Sequence, residues 1–121
     1  MELSTLAKTW IIDLDGTIVK HNGYLISGQD TLLDGVKDFF NNLPIEDKII
    51  LLTARKEEHL NDLKIFLKKN GIRYNCILSD MPTGERILIN DIKPSGLKTA
   101  YAINKERDTK LEIEYNINSE L

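Results

Sequence analysis

The sequence predicts an α/β fold, a three-layer, Rossmann-like parallel sheet, on three observations. Short apolar runs of strand composition alternate with stretches of helical periodicity along the 121 residues. Strands separated by a helix run parallel, because the crossover returns the chain to the end from which it left. Crossover helices then cover both faces of the sheet. With 41% hydrophobic and 29% charged residues, the chain supplies one core, so residues 1–121 are expected to form a single domain.

Each element has a local reason. Trp10 to Leu14 is an apolar run broken only by Asp13, and it ends at Asp15-Gly16-Thr17, a strand followed by a turn. After a polar stretch from Lys20 to Asp30, Leu32, Leu33, Val36, Phe39 and Phe40 recur at helical spacing and stop before Pro44. Lys48 to Thr53 repeats the strand pattern. Glu57 to Asn70 places Leu60, Leu63, Ile65, Phe66 and Leu67 mainly on one helical face, and Gly71 ends it. Cys76 to Leu78 and Ile87 to Ile89 read as two further strands, parted by the turn residues Pro82, Thr83 and Gly84. In the tail, Lys98 to Lys105 fits helix or strand, and Leu111, Ile113, Tyr115 and Ile117 alternate as an edge strand does.

A formal net charge of −3 lacks the basic surplus that draws proteins to nucleic acid or anionic lipid, which makes nucleic acid a disfavoured partner. The lone Cys76 has no internal disulfide partner, and its apolar neighbours predict a buried thiol, in keeping with a cytoplasmic location. The N-terminal MELSTLAKTWII has no basic region ahead of a long apolar core, so neither secretion nor membrane insertion is expected.

Ligands of open parallel sheets bind beyond the carboxyl ends of the strands. Those ends carry Asp13-Leu14-Asp15, Thr53-Ala54-Arg55 and Asn90-Asp91. Crowded carboxylates repel unless a cation compensates them. Asp13, Asp15 and Asp91 offer oxygen donors without histidine or thiolate, a set suited to Mg2+ and not to zinc. A phosphate on that ion would draw on Thr53, the amides around Leu14 to Gly16, and one basic side chain. A turn accounts for Asp15-Gly16 but gives no reason for Asp13 inside an apolar strand. Elsewhere the expectations are ordinary: Arg55 pairing near the acidic start of the second helix, His59 on that helix's surface, Trp10 in core or edge packing.

DLDGT after an apolar strand resembles the first motif of the haloacid dehalogenase superfamily, and LLT and IND resemble its second and fourth, over residues 10 to 91. The resemblance implies a phosphatase working through an aspartyl phosphate. Asp13 would be the nucleophile, Asp15 the acid and base, and Thr53 the holder of the phosphoryl group. Magnesium would lie on the Asp13 carboxylate, the Asp15 main-chain carbonyl and Asp91. The family's third-motif lysine is missing, since no lysine lies between Asn70 and Asp91. Arg86 and Lys93 are its candidate replacements for binding phosphate, Arg86 the preferred one.

Neither inter-motif interval has room for a cap domain, so the resemblance implies a capless core. Water exclusion then falls to a neighbouring subunit in a homo-oligomer, to the flap at His21-Asn22-Gly23-Tyr24, or to a bulky substrate. TWIIDLDGTIVKHNGY and GERILINDIKPSG also resemble, more loosely, small phosphatases of sugar or capsular polysaccharide biosynthesis. That implies a phosphorylated sugar, or a phosphorylated group on a nucleotide-sugar, as substrate. The alternatives are a phosphoprotein or polynucleotide-end phosphatase and, from another class, a catalytically idle anion-binding module.

Overall fold

Two crossovers build the central sheet of the computed structural model, which describes residues 1–121. Strand β1 is Glu2–Leu3 and β2 is Thr9–Asp13, followed by the short helix α1, Gly23–Ile26, and helix α2, Val36–Asn41. Strand β3, Lys48–Leu52, leads through a 3-10 turn at Glu57–His59 into helix α3, Leu60–Lys69; β4 is Cys76–Leu78 and β5 is Asn116–Ile117. The sheet runs β2-β3-β4 with both pairings parallel, Asp13 lying opposite Leu52 and Leu52 opposite Leu78. It is a Rossmann-like α/β core, but because the strand order advances in one direction both α2 and α3 fall on the same face, and the expected third layer is not formed.

Alternation decides what each face of the sheet does. Ile12, Ile49 and Leu51 form one core with Val36 and Phe40 of α2 and with Leu60, Leu63 and Leu67 of α3, and Trp10 and Ile77 pack against it. The other face carries Ile11, 48% exposed, and Leu78, 43% exposed. Cys76 falls on that open side of β4 and is exposed, not the buried thiol its neighbours suggested. Apolar neighbours along a strand do not decide which face a residue takes.

Two glycines shape the connections. At Gly16, φ is +85°, a backbone region costly for side chains, and the turn closes as the Gly16 N–H donates to the Val19 carbonyl at 2.7 Å. At Gly35, φ is +80°, and a Cβ there would lie 2.5 Å from the Leu111 carbonyl oxygen. That glycine delays α2 to Val36, so Leu32 and Leu33 precede the helix expected to contain them, and Leu32 bridges Val19 instead.

Ile87 to Ile89 do not form the expected strand. These residues are 83%, 56% and 90% exposed, and they do not pair with the free edge of β2. Three apolar residues gain strand geometry only from a partner, and here none is joined. Lys98 to Lys105 is neither helix nor strand. The tail beyond it does engage: the Leu111 N–H donates to the Asp34 carbonyl at 2.9 Å, Leu111 is buried, and Tyr115 meets Trp10 at 5.7 Å between ring centroids. Only Asn116–Ile117 of the alternating stretch is strand, parallel to β1. No helix is long and apolar enough to cross a membrane.

Candidate active site

Asp13 and Asp15 leave the carboxyl end of β2 two positions apart in sequence but in different surroundings. Asp13, the last residue of β2, keeps its side chain 37% exposed. Its Oδ2 accepts from the Thr17 hydroxyl at 3.0 Å, and its Oδ1 accepts from Arg86 Nη1 at 2.6 Å. The Arg86 guanidinium therefore stands over the carboxylate, a charge-assisted contact at the mouth of the site. Lys93 makes only backbone hydrogen bonds, donating to the Leu97 carbonyl and accepting from the Gly96 N–H, in an exposed segment.

Asp15 is held on every side. Its Oδ2 accepts from the Thr53 hydroxyl at 3.0 Å, and its Oδ1 accepts from Arg55 Nε at 3.1 Å and Nη2 at 2.8 Å. Thr53 extends β3 by one step, its N–H donating to Leu78, and it is fully buried. Its hydroxyl also accepts from the Arg55 N–H at 3.1 Å, so here it serves Asp15 and the following turn and faces no open space. A hydroxyl can donate to a carboxylate or accept from a carboxylic acid, so one contact fits both protonation states of Asp15.

Arg55 is the residue whose place the sequence misjudged. It does not pair with Glu57 or Glu58; its side chain is 2% exposed and spans Asp15 and Asp30. Nη1 donates to Asp30 Oδ2 at 2.9 Å and Nη2 to Asp30 Oδ1 at 2.7 Å, while the guanidinium carbon lies 3.7 Å from the Tyr24 ring centroid. Burial by itself would lower the Arg55 pKa, but hydrogen bonds to Asp30 and Asp15 and their negative charge outweigh it, and the net shift is upward. Asp30 and Tyr24 belong to the flap after β2, whose ends are tied by Lys20 N–H to the Thr31 carbonyl at 3.0 Å.

The tail adds cations that sequence reasoning passed over. Lys105 Nζ lies 3.4 Å from the Gly16 carbonyl oxygen, and Arg107 packs against Gly16. Burial lowers the Lys105 pKa, opposed by Asp108, whose carboxylate also accepts from the His21 N–H at 2.8 Å.

The Asp15 and Ala54 N–H groups and the Asp15 carbonyl have no partner within the protein. The Asp13 carboxylate and the Asp15 carbonyl are hard oxygens of the kind magnesium accepts when water and a phosphate complete its shell. The residues present fit such an ion to that extent. Asp91 is not brought to them, and no three His, Cys, Asp or Glu side chains gather closely enough to hold a metal. Asp91 stays on the exposed 86–100 segment, tied through its carbonyl to the Thr99 hydroxyl.

No protein-family model and no curated protein matches the sequence. A solved structure, that of a Pnkp1/Rnl/Hen1 complex, contains a chain that is similar to this one, with 29% identity and a TM-score of 0.53. The likeness covers 69% of this chain and 31% of that one, so this chain corresponds to about a third of its relative's length.

Proposed function

We propose that this chain is a magnesium-dependent phosphomonoester hydrolase of the haloacid dehalogenase type, working through a phosphorylated Asp13. The observation that supports it is the unequal treatment of the two carboxylates. Asp13 is half-open with one cation above it, as a nucleophile needs. Asp15 is fixed by three donors, as a proton-transfer group needs.

In this reading an Asp13 oxygen attacks phosphorus, and Arg86 and the free amides of Asp15 and Ala54 take up the charge of the phosphoryl oxygens. Asp15 gives its proton to the departing oxygen, then accepts one from the water that cleaves the aspartyl phosphate. Asp13 and the Asp15 carbonyl would hold magnesium, with water and phosphate oxygens completing its shell; when bound, the ion offsets negative charge between nucleophile and phosphate. Thr53 acts on the phosphoryl group through Asp15 and the Ala54-Arg55 turn.

For the substrate, the open site and the loose resemblance stated above support a phosphorylated sugar or a phosphorylated group on a nucleotide-sugar, met in the cytoplasm. The likeness to the Pnkp1/Rnl/Hen1 chain favours a second reading, a phosphatase of polynucleotide ends. Phosphate release with magnesium across sugar phosphates, nucleotide-sugars, phosphopeptides and end-phosphorylated oligonucleotides separates them. Turnover is expected to vanish in Asp13→Asn, together with trapping of a fluoroberyllate analogue. An Asp13→Asn protein that still turns over would falsify the nucleophile assignment, and release only from oligonucleotides would transfer the substrate to the second reading.

A further inference from the structure

Asp30 has no part in the chemistry just described, yet its carboxylate is 5% exposed and both its oxygens are bound by one guanidinium. A buried carboxylate is retained at a cost unless its partner holds it well. That partner, Arg55, also donates from Nε and Nη2 to Asp15 Oδ1. Guanidinium is planar and rigid, so fixing one edge on Asp30 fixes the direction of the other. The Tyr24 ring, 3.7 Å from the guanidinium carbon, restrains motion out of that plane. Without Asp30, Arg55 retains its charge but loses the edge that sets its orientation, and the Asp15 carboxylate keeps only the Thr53 hydroxyl as a fixed donor.

We infer that Asp30 is a positioning residue for Asp15, acting through Arg55, and that the flap carrying Asp30 and Tyr24 aligns the proton-transfer group. The inference rests on the phosphatase reading. It adds that the flap governs the rate of the reaction more than the binding of substrate, because Asp30 reaches neither Asp13 nor Arg86.

The test uses the full chain with magnesium and p-nitrophenyl phosphate, beside isotope-labelled arginine side-chain NMR. In Asp30→Asn, kcat is expected to fall about tenfold to a hundredfold, the scale of a misplaced reacting group, with KM within about twofold. Fluoroberyllate trapping at Asp13 stays as in the wild type. The Arg55 Nη resonances, held distinct in the wild type, average together. Asp30→Glu, which restores the charge, recovers a large part of the rate. Unchanged kcat in Asp30→Asn, or a loss that Asp30→Glu does not relieve and that follows thermal stability alone, overturns the role. If Asp30→Asn does not fold, Tyr24→Leu removes the stack and leaves every charge in place: lowered kcat at constant KM supports the inference, and unchanged kcat overturns it. A wild-type chain inert on every phosphomonoester overturns the phosphatase reading and this role with it, whereas an active wild type with an equally active Asp30→Asn overturns this role alone.

Discussion

Replacing Arg55 by methionine tests the electrostatics of the site apart from its chemistry. Methionine keeps an unbranched apolar stem in a nearly closed space and deletes five donors. Asp15, at 17% exposure, can recover water; Asp30, at 5%, cannot. Removing one partner of a buried ion pair costs about 3–5 kcal/mol, most of it the stranded charge of the other. At about 2.1 cal/mol/K of unfolding entropy per residue over 121 residues, each kcal/mol moves the midpoint by about 4 °C, so Tm should drop by about 12–20 °C. Because the folded Arg55 pKa is raised, its stabilisation is fully present below the unfolded value and is lost only as pH rises through the folded one. The Arg55→Met deficit should therefore hold constant from neutral pH into the alkaline range. Thermal and urea unfolding followed by circular dichroism measure it. Arg55→Met with Asp30→Asn should be more stable than Arg55→Met alone, since the stranded charge is gone. A single variant within about 1 kcal/mol of wild type, a loss no larger than an exposed pair gives, refutes the reasoning.

Three further outcomes follow from other contacts. Arg86→Ala removes a pair in which both side chains are more than a third exposed, so stability should change by less than about 1 kcal/mol, while KM for a phosphomonoester rises; a collapse of Tm would assign Arg86 to the fold. Gly35→Ala combines a left-handed backbone with a 2.5 Å approach to the Leu111 carbonyl and should cost about 2–5 kcal/mol in urea unfolding, whereas Gly71→Ala, left-handed with open space, should cost only about 1–2 kcal/mol. Equal losses would deny that the tail is packed at Gly35. Lys105 has its pKa lowered by burial, so below the ordinary lysine value the unfolded chain binds more protons and stability should climb with pH through that window. Lys105→Gln should flatten that climb, as read by urea unfolding at a series of alkaline pH values; an unchanged slope would place Lys105 in open solvent.

The sheet was legible because its signal is local. Trp10 to Asp13, Lys48 to Leu52 and Cys76 to Leu78 are apolar runs, and their parallel order follows from the helical stretches between them. The placement of Asp13 and Asp15 at a strand end was readable for the same reason, as was the nearness of Thr53 on the neighbouring strand. Local pattern failed where a third partner decides. Ile87 to Ile89 has strand composition but joins no strand, and Leu32 and Leu33 have helical spacing but precede a glycine that only a left-handed backbone satisfies.

The Arg55 cluster shows what kind of information is missing from such patterns. Its hydrogen bonds join residues 40 and 25 positions apart, and although Asp30 is the one acidic residue from Lys20 to Asp30, no local pattern there predicts its burial. Arg55 itself stands beside Glu57 and Glu58, and a reading by sequence distance pairs it with them. Burial reverses that preference: a guanidinium with 2% exposure has lost its water and must find donors' partners inside, while Glu57 and Glu58 remain in solvent. The choice between near and distant carboxylates is thus made by which ones the crossover buries with the arginine. At the strand ends of this sheet, Asp15 arrives from β2, Arg55 from β3, and the flap returns Asp30 to Arg55. The flap's single acidic residue is thereby tied to the site through Arg55.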